Sequence, residues 1–299
     1  MSNATTSSPT VGEEAPSAAL SPVGIRVRVP FWQSVFIIWY RDILRFTRDR
    51  ARLIGSLAQP ILFLVVFGVG LSSAFGAGSG VLPPHTTYLE FMFPGVIGMT
   101  VLMTSIFSAM QIVWDREFGF LREILVAPID RSAVAVGKAL SGASQAMVGG
   151  IIMLVFAPIV GVRLSVLGVL EMLALLLLLA VSLSAFGIAI ASRMRSMQGF
   201  QVVMNFLMMP MLFLSGALFP LKGLPIWMAV LTRLDPVTYA IAPVRVSLFS
   251  NSGYPAPFIN AAQVTIGSYT LPLLLDVGIV AVIGVAVLGL AIAQLRKRD

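Results

Sequence analysis

Cysteine is absent, and histidine occurs once, as His85 in a Pro-Pro-His-Thr-Thr stretch. Without thiols the chain has neither a disulfide framework nor a thiolate metal site, and a single loop histidine is ordinarily a solvated side chain. Charge is scarce. Asp, Glu, Lys and Arg make up 11% of the 299 residues, against about 25% in soluble domains. There is no Gly-x-x-x-x-Gly-Lys-Ser/Thr loop, hence no phosphate cradle. No Ser/His/Asp or paired-carboxylate constellation gathers in one place, so a hydrolase or transferase reading lacks support. Glu90, Glu171 and Asp276 lie near the ends of apolar runs and none lies near a middle. Ion-coupled carriers use buried carboxylates or broken helices at the midplane, which argues against a self-powered antiporter.

What the chain does contain is apolar: 58% of its residues are hydrophobic. The 24 residues from Phe91 to Trp114 carry no charge, and neither do the 24 from Ala139 to Val162. Runs of that length are membrane spans. Between them lies a charged island, residues 115–128. Phe118, Leu121 and Leu125 recur there at helical spacing, with Ile124 beside them, while Arg116, Glu117, Arg122 and Glu123 project elsewhere. That pattern suits a short amphipathic helix at the membrane surface, over 116–126. Pro128 disfavours helix at Ala127 and marks its end. A surface helix joined to two spans is a lever that a partner could grip.

A second amphipathic helix is expected over 31–50. Trp32, Phe36, Trp39, Ile43 and Phe46 fall on one face, and Arg41, Arg45, Arg48 and Arg52 on another. Aromatic rings at headgroup level and an arginine face suit an anionic membrane surface. Residues 1–24, rich in Ser, Ala, Thr and Pro, read as a disordered tail without the features of a signal peptide.

The resulting expectation is an all-α polytopic membrane protein with six transmembrane helices, at 53–75, 88–114, 131–158, 166–191, 198–219 and 277–295. Asp130 caps the third helix, and Lys138 reaches from its first turns to the interface. Residues 220–269 are broken by Pro225, Pro236 and Pro243 and read as an outer re-entrant region. With the termini and the charged turns on one side, that side holds sixteen of the twenty basic residues. The positive-inside rule makes it cytoplasmic. The net charge of +7 is then a topology signal that calls for no nucleic-acid partner.

The run Arg116-Glu117-Phe118-Gly119-Phe120-Leu121-Arg122-Glu123-Ile124-Leu125 with Ala127-Pro128 resembles the cytoplasmic segment of ABC-2 type permeases, the membrane subunits of type-2 ATP-binding cassette exporters. Leu234-Asp235-Pro236-Val237-Thr238-Tyr239-Ala240 with Arg245 resembles a second stretch of the family, where Asn often replaces Asp235. The resemblance covers about residues 31–299, beginning with the interfacial helix, and implies one transmembrane domain over 25–299. It implies a non-catalytic subunit in a bacterial inner membrane with both termini cytoplasmic. It also implies two copies of a partner ATPase that bind ATP and Mg, and a second permease chain, a homodimer being expected. Arg116, Glu117, Phe118, Gly119, Leu121, Arg122, Glu123 and Pro128 correspond to the ATPase-coupling segment. Gln111, Asn205 and Met208 are candidates for the substrate path, with packing as their simpler role. The implied cargo is a hydrophobic drug or lipid-like molecule; a polysaccharide or lipo-oligosaccharide is the alternative, and a channel or scaffold uncoupled from ATP the remaining one.

Overall fold

Polar side chains set where the long helices begin. Thr87 accepts from the Glu90 N–H at 3.2 Å while the Glu90 carboxylate reaches back to the Thr87 N–H, a capping box that opens the helix Tyr88–Ser108. Asp130 accepts from the Ser132 N–H at 2.9 Å, Ser165 from Gly168 at 3.0 Å and Ser196 from Gly199 at 3.2 Å. Each cap satisfies a donor the helix cannot and stabilises it by about 0.5–2 kcal/mol.

The computed structural model describes residues 29–72, 87–118, 130–218, 221, 224–256, 259–260, 263–266, 269–270 and 272–297. In chain order these form α1 (Phe31–Arg48), α2 (Arg50–Phe63) running into a π-helical stretch (Leu64–Val69), α3 (Tyr88–Ser108), α4 (Met110–Glu117), α5 (Arg131–Leu154) and α6 (Ala157–Val160). Then come α7 (Val166–Ala191), α8 (Met197–Leu214), α9 (Ile226–Leu234), α10 (Thr238–Ser250), an antiparallel pair β1 (Thr265–Ile266) and β2 (Tyr269–Thr270), and α11 (Leu273–Lys297). The expected tail, residues 1–24, lies outside the described residues.

The core is built around α3, in which every residue from Phe91 to Leu102 is buried. It is packed by α2, α5, α7 and α10, with α11 laid along α7 and α8 at the periphery. Small residues bring the inner helices together. A Cβ on Gly142 of α5 would lie 2.1 Å from Ser108 Oγ and 2.7 Å from Ser184 Oγ, so α3, α5 and α7 meet where no side chain fits. On Gly137, a Cβ would come within 3.0 Å of Ile38, which seats α1 directly on α5.

This docking splits α1 into two apolar faces. Val35, Ile38 and Phe46 are buried, whereas Trp32, Phe36 and Tyr40 are exposed. Of the stripe read from the sequence, Trp32 and Phe36 point outward, Trp39 and Ile43 are half-buried and Phe46 is buried, so only its first part faces away from the bundle.

The six-helix expectation does not stand. Among the described residues, four helices are long and apolar enough to cross a membrane: Tyr88–Glu117, Val166–Ala191, Met197–Leu214 and Leu273–Arg296. A fifth arises only if Phe31–Arg48 and Leu53–Val69, bent by 69°, count together as one broken span. The expected third span, 131–158, contributes the 24-residue α5, but Lys138, Ser141, Ser144, Gln145 and the small residues around them dilute its apolarity. Of the expected first span, 53–75, the helix counted among the described residues is Leu53–Val69, too short to pass alone, and α2 carries Pro60, a recognised source of bending.

At the end away from the basic turns, α10 is buried against α7, α11 and α3. Its Arg245, 1% exposed, donates from Nη2 to the carbonyls of Gly216 and Ala217 at 3.0 Å each. The guanidinium lies 4.1 Å from the centroid of the Phe91 ring. Glu171 of α7 accepts from Ser247 Oγ at 2.7 Å and from Asn251 Nδ2 at 2.8 Å. The segment after α8 is thereby tied to α3 and α7.

Candidate functional site

The described part of the charged island is the end of α4, and its side chains turn toward the chain itself. Arg116 Nη1 donates to the Ser192 carbonyl at 2.9 Å and to the Met194 carbonyl at 2.6 Å. Glu117 Oε2 accepts from the Met197 N–H at 3.0 Å, placing a carboxylate at the positive N-terminus of α8. Phe118 is 56% exposed and lies 5.3 Å from the Trp114 ring. Arg116, Glu117 and Phe118 thus sit together beside the turn between α7 and α8. Gly119, Leu121, Arg122, Glu123 and Pro128, and with them most of the expected 116–126 helix, lie outside the described residues.

Directly behind this surface lies an ionic cluster that the sequence reading did not identify. Lys138 Nζ stands 2.8 Å from Asp115 Oδ2 and 3.2 Å from Asp42 Oδ2. The three side chains are 4%, 7% and 3% exposed respectively. Arg41 adds a half-exposed guanidinium, 3.0 Å from Asp42 and 3.7 Å from Asp115. Arg41 and Asp42 come from α1, Asp115 from α4 and Lys138 from α5, so the expectation that Lys138 reaches to the interface is replaced by a buried, doubly paired ammonium. Buried charges persist only when paired and hydrogen-bonded. A signal for Asp42 was present: it falls four residues after Ile38 and four before Phe46, a carboxylate in the middle of an apolar stripe.

The same end is closed by backbone and cap contacts. Ser192 Oγ donates to Gln294 of α11 at 2.5 Å. Asp130, capping α5, receives both the hydroxyl and the N–H of Ser132, which hold its carboxyl below the usual carboxylate range, with Arg296 adding a weaker pull.

A cavity of about 470 Å³ opens between the α1–α2 elbow, α3–α4 and α8. Its lining is mixed: Gln59, Thr104, Gln111 and Gln201 offer hydrogen bonds, Met103, Phe107 and Trp114 offer apolar surface, and Arg45 stands at one side, its guanidinium 5.7 Å from the Trp114 ring. Of the three sequence candidates for the path, Gln111 lines this cavity, Asn205 is exposed on the outer side of α8, and Met208 is buried in the core. The structure does not bring the three together. Gln201, one turn before Asn205, is the α8 residue that reaches the cavity.

Several long apolar helices sharing one core, with basic turns gathered at one end, define an α-helical multi-pass membrane protein. Residues 33–249 match the ABC-2 type transporter family, and the chain belongs to it. It is a permease subunit of an ABC-type exporter family; such subunits are not catalytic, the ATPase activity residing in a separate partner. Among its relatives is the transport permease ycf38 of Cyanophora paradoxa, 30% identical over 75% of this chain and 77% of that one. A doxorubicin resistance ABC transporter permease, DrrC, of Mycobacterium tuberculosis is 25% identical over 69% and 73% of the two chains. Nodulation protein J of Rhizobium leguminosarum bv. viciae is 25% identical over 76% and 84%.

Proposed function

We propose that this chain forms half of a membrane exporter whose cytoplasmic face is the basic end of the bundle. A partner ATPase binds at residues 116–126, and ATP-driven closure of two ATPase copies moves α4 and α5. The excess of arginine and lysine at that end supports the orientation. Exposed Phe118, at the rim of the island, is the described side chain suited to an apolar groove of the partner. A second permease chain would lie against α8, whose Val202, Phe206, Met209 and Phe213 are exposed in the single chain.

The cargo we infer is an amphiphile with a hydroxyl-rich head, a lipo-oligosaccharide or related glycolipid. The observation that carries this is the cavity lining: three glutamines and a threonine beside the Trp114 ring suit hydroxyl groups better than a purely apolar molecule. Its volume of about 470 Å³ falls within the range that holds one drug-sized group. A second reading, a planar hydrophobic drug, is favoured by the relative named for doxorubicin resistance. Proteoliposomes holding the chain and its ATPase separate the two. The proposal expects ATP-dependent movement of a fluorescent glycolipid, and about a fivefold loss in Gln111→Ala, the worth of about one hydrogen bond. Movement of doxorubicin but not of glycolipid would favour the second reading, and movement of neither with ATP would sink both.

A further inference from the structure

The cluster of Lys138, Asp42 and Asp115 has a position in the chain as well as a position in space. Asp115 lies at the end of α4, just before the segment expected to meet the ATPase, and Lys138 lies two turns into α5, just after it. Their 2.8 Å contact closes the loop of chain that carries that segment. Without it, force applied to the loop would divide between two helix ends free to move separately. With it, α4 and α5 are joined at their roots. The 3.2 Å contact of Lys138 with Asp42 extends the junction to α1. Two further contacts hold α1 to α5 along the same line: Trp39 Nε1 donates to Ser144 Oγ at 3.0 Å, and Ile38 packs on Gly137.

We propose that Lys138 is a positioning residue for coupling. Bridging Asp42 and Asp115, it makes α1, α4 and α5 one lever, so that displacement of the 119–129 segment reaches the cavity beneath α1 undivided. Phe46 of α1, Gln111 of α4 and Trp114 of α4 line that cavity, so a lever of these helices changes its shape directly. The inference rests on the ATP-driven reading above and adds to it the device by which force is carried. Lys138 touches neither ATP nor cargo in this account; it acts through the helices it joins.

The test uses the full chain with its partner ATPase in proteoliposomes, with the fluorescent glycolipid and doxorubicin as probes. ATP hydrolysed and probe moved are measured in the same vesicles. In Lys138→Met, probe moved per ATP should fall by about tenfold or more, while ATPase binding and basal hydrolysis persist. Because that variant leaves two buried carboxylates with only the half-exposed Arg41 as their cation, a triple variant, Lys138→Met with Asp42→Asn and Asp115→Asn, is measured beside it. It buries no unpaired charge and retains the packing, yet lacks the bridge, and it should show the same fall. The conservative variant Lys138→Arg keeps a cation between the two carboxylates and should retain much of the ratio. A role in stability alone predicts lower yield with an unchanged ratio. An unchanged ratio in the triple variant overturns the proposal even if the native chain couples normally. A native chain that moves neither probe with ATP overturns the underlying reading, and this inference with it.

Discussion

Lys138 is surrounded closely enough that its ammonium has no recourse to water, and its two carboxylates are equally committed. Removing one member of a buried ionic group costs about 3–5 kcal/mol when the others are left charged and unpaired; the half-exposed Arg41, 3.0 Å from Asp42 and 3.7 Å from Asp115, remains as a partner and keeps the cost near the low end. Lys138→Met should therefore lower the unfolding free energy in detergent by about that amount, and the added Asp42→Asn and Asp115→Asn changes should recover most of it; denaturant melts of both variants check this. Asp235, at the turn between α9 and α10, presents the reverse case. Burial pushes its carboxyl up to about 7, against the opposing hydrogen bond from the Val237 N–H at 3.0 Å. In the unfolded chain the group titrates near 3.9. The folded state thus prefers the neutral acid, and stability is fully present below about pH 4, falls as pH rises from about 4 to 7, and is level beyond. Asp235→Asn keeps an acceptor for Val237 without the charge. It should remove this slope, and at pH 8 melt no lower than the native chain.

Among the elements, α5 shows why a long uncharged run need not be a lipid-facing span. Its surface of Gly, Ala and Ser is shaped for helix contact, and Gly142 sits where Ser108 and Ser184 converge. A β-branched side chain there forces three helices apart. Gly142→Val should cost at least the about 1–3 kcal/mol typical of overpacking, seen as a lowered melting temperature and reduced yield from the membrane. Counting charges treated residues 139–162 as one more crossing; the mean apolarity of α5, diluted by small residues, does not support that. Other features were local and therefore readable. Asp130 heading a helix needed only the neighbouring Ser132, and the amphipathic character of α1 needed only its own period. The partner of Lys138 was not readable, because Asp115 and Asp42 lie 23 and 96 residues away in sequence and meet it only after α1 and α4 dock on α5. For the same reason Asn205 and Met208 were both candidates for the path, whereas docking leaves one exposed and buries the other.

For the whole molecule, the pattern of long apolar runs and basic turns was enough to place the chain in the bilayer, and two short motifs were enough to suggest the family. The lengths of the helices and the location of the cavity required the structure. The account as a whole holds that the chain is a gate without a motor of its own, driven at its basic end. Since the native chain contains no cysteine, a single one can report which side that end faces and what covers it. The measurement is labelling of Phe118→Cys by a membrane-impermeant maleimide in sealed vesicles of known orientation, with and without the partner ATPase. Phe118 is exposed and ends the described part of the island. The account predicts labelling only from the cytoplasmic side, and protection once the ATPase is bound. Labelling from the exterior, or full labelling from the cytoplasmic side in the presence of saturating ATPase, would contradict it.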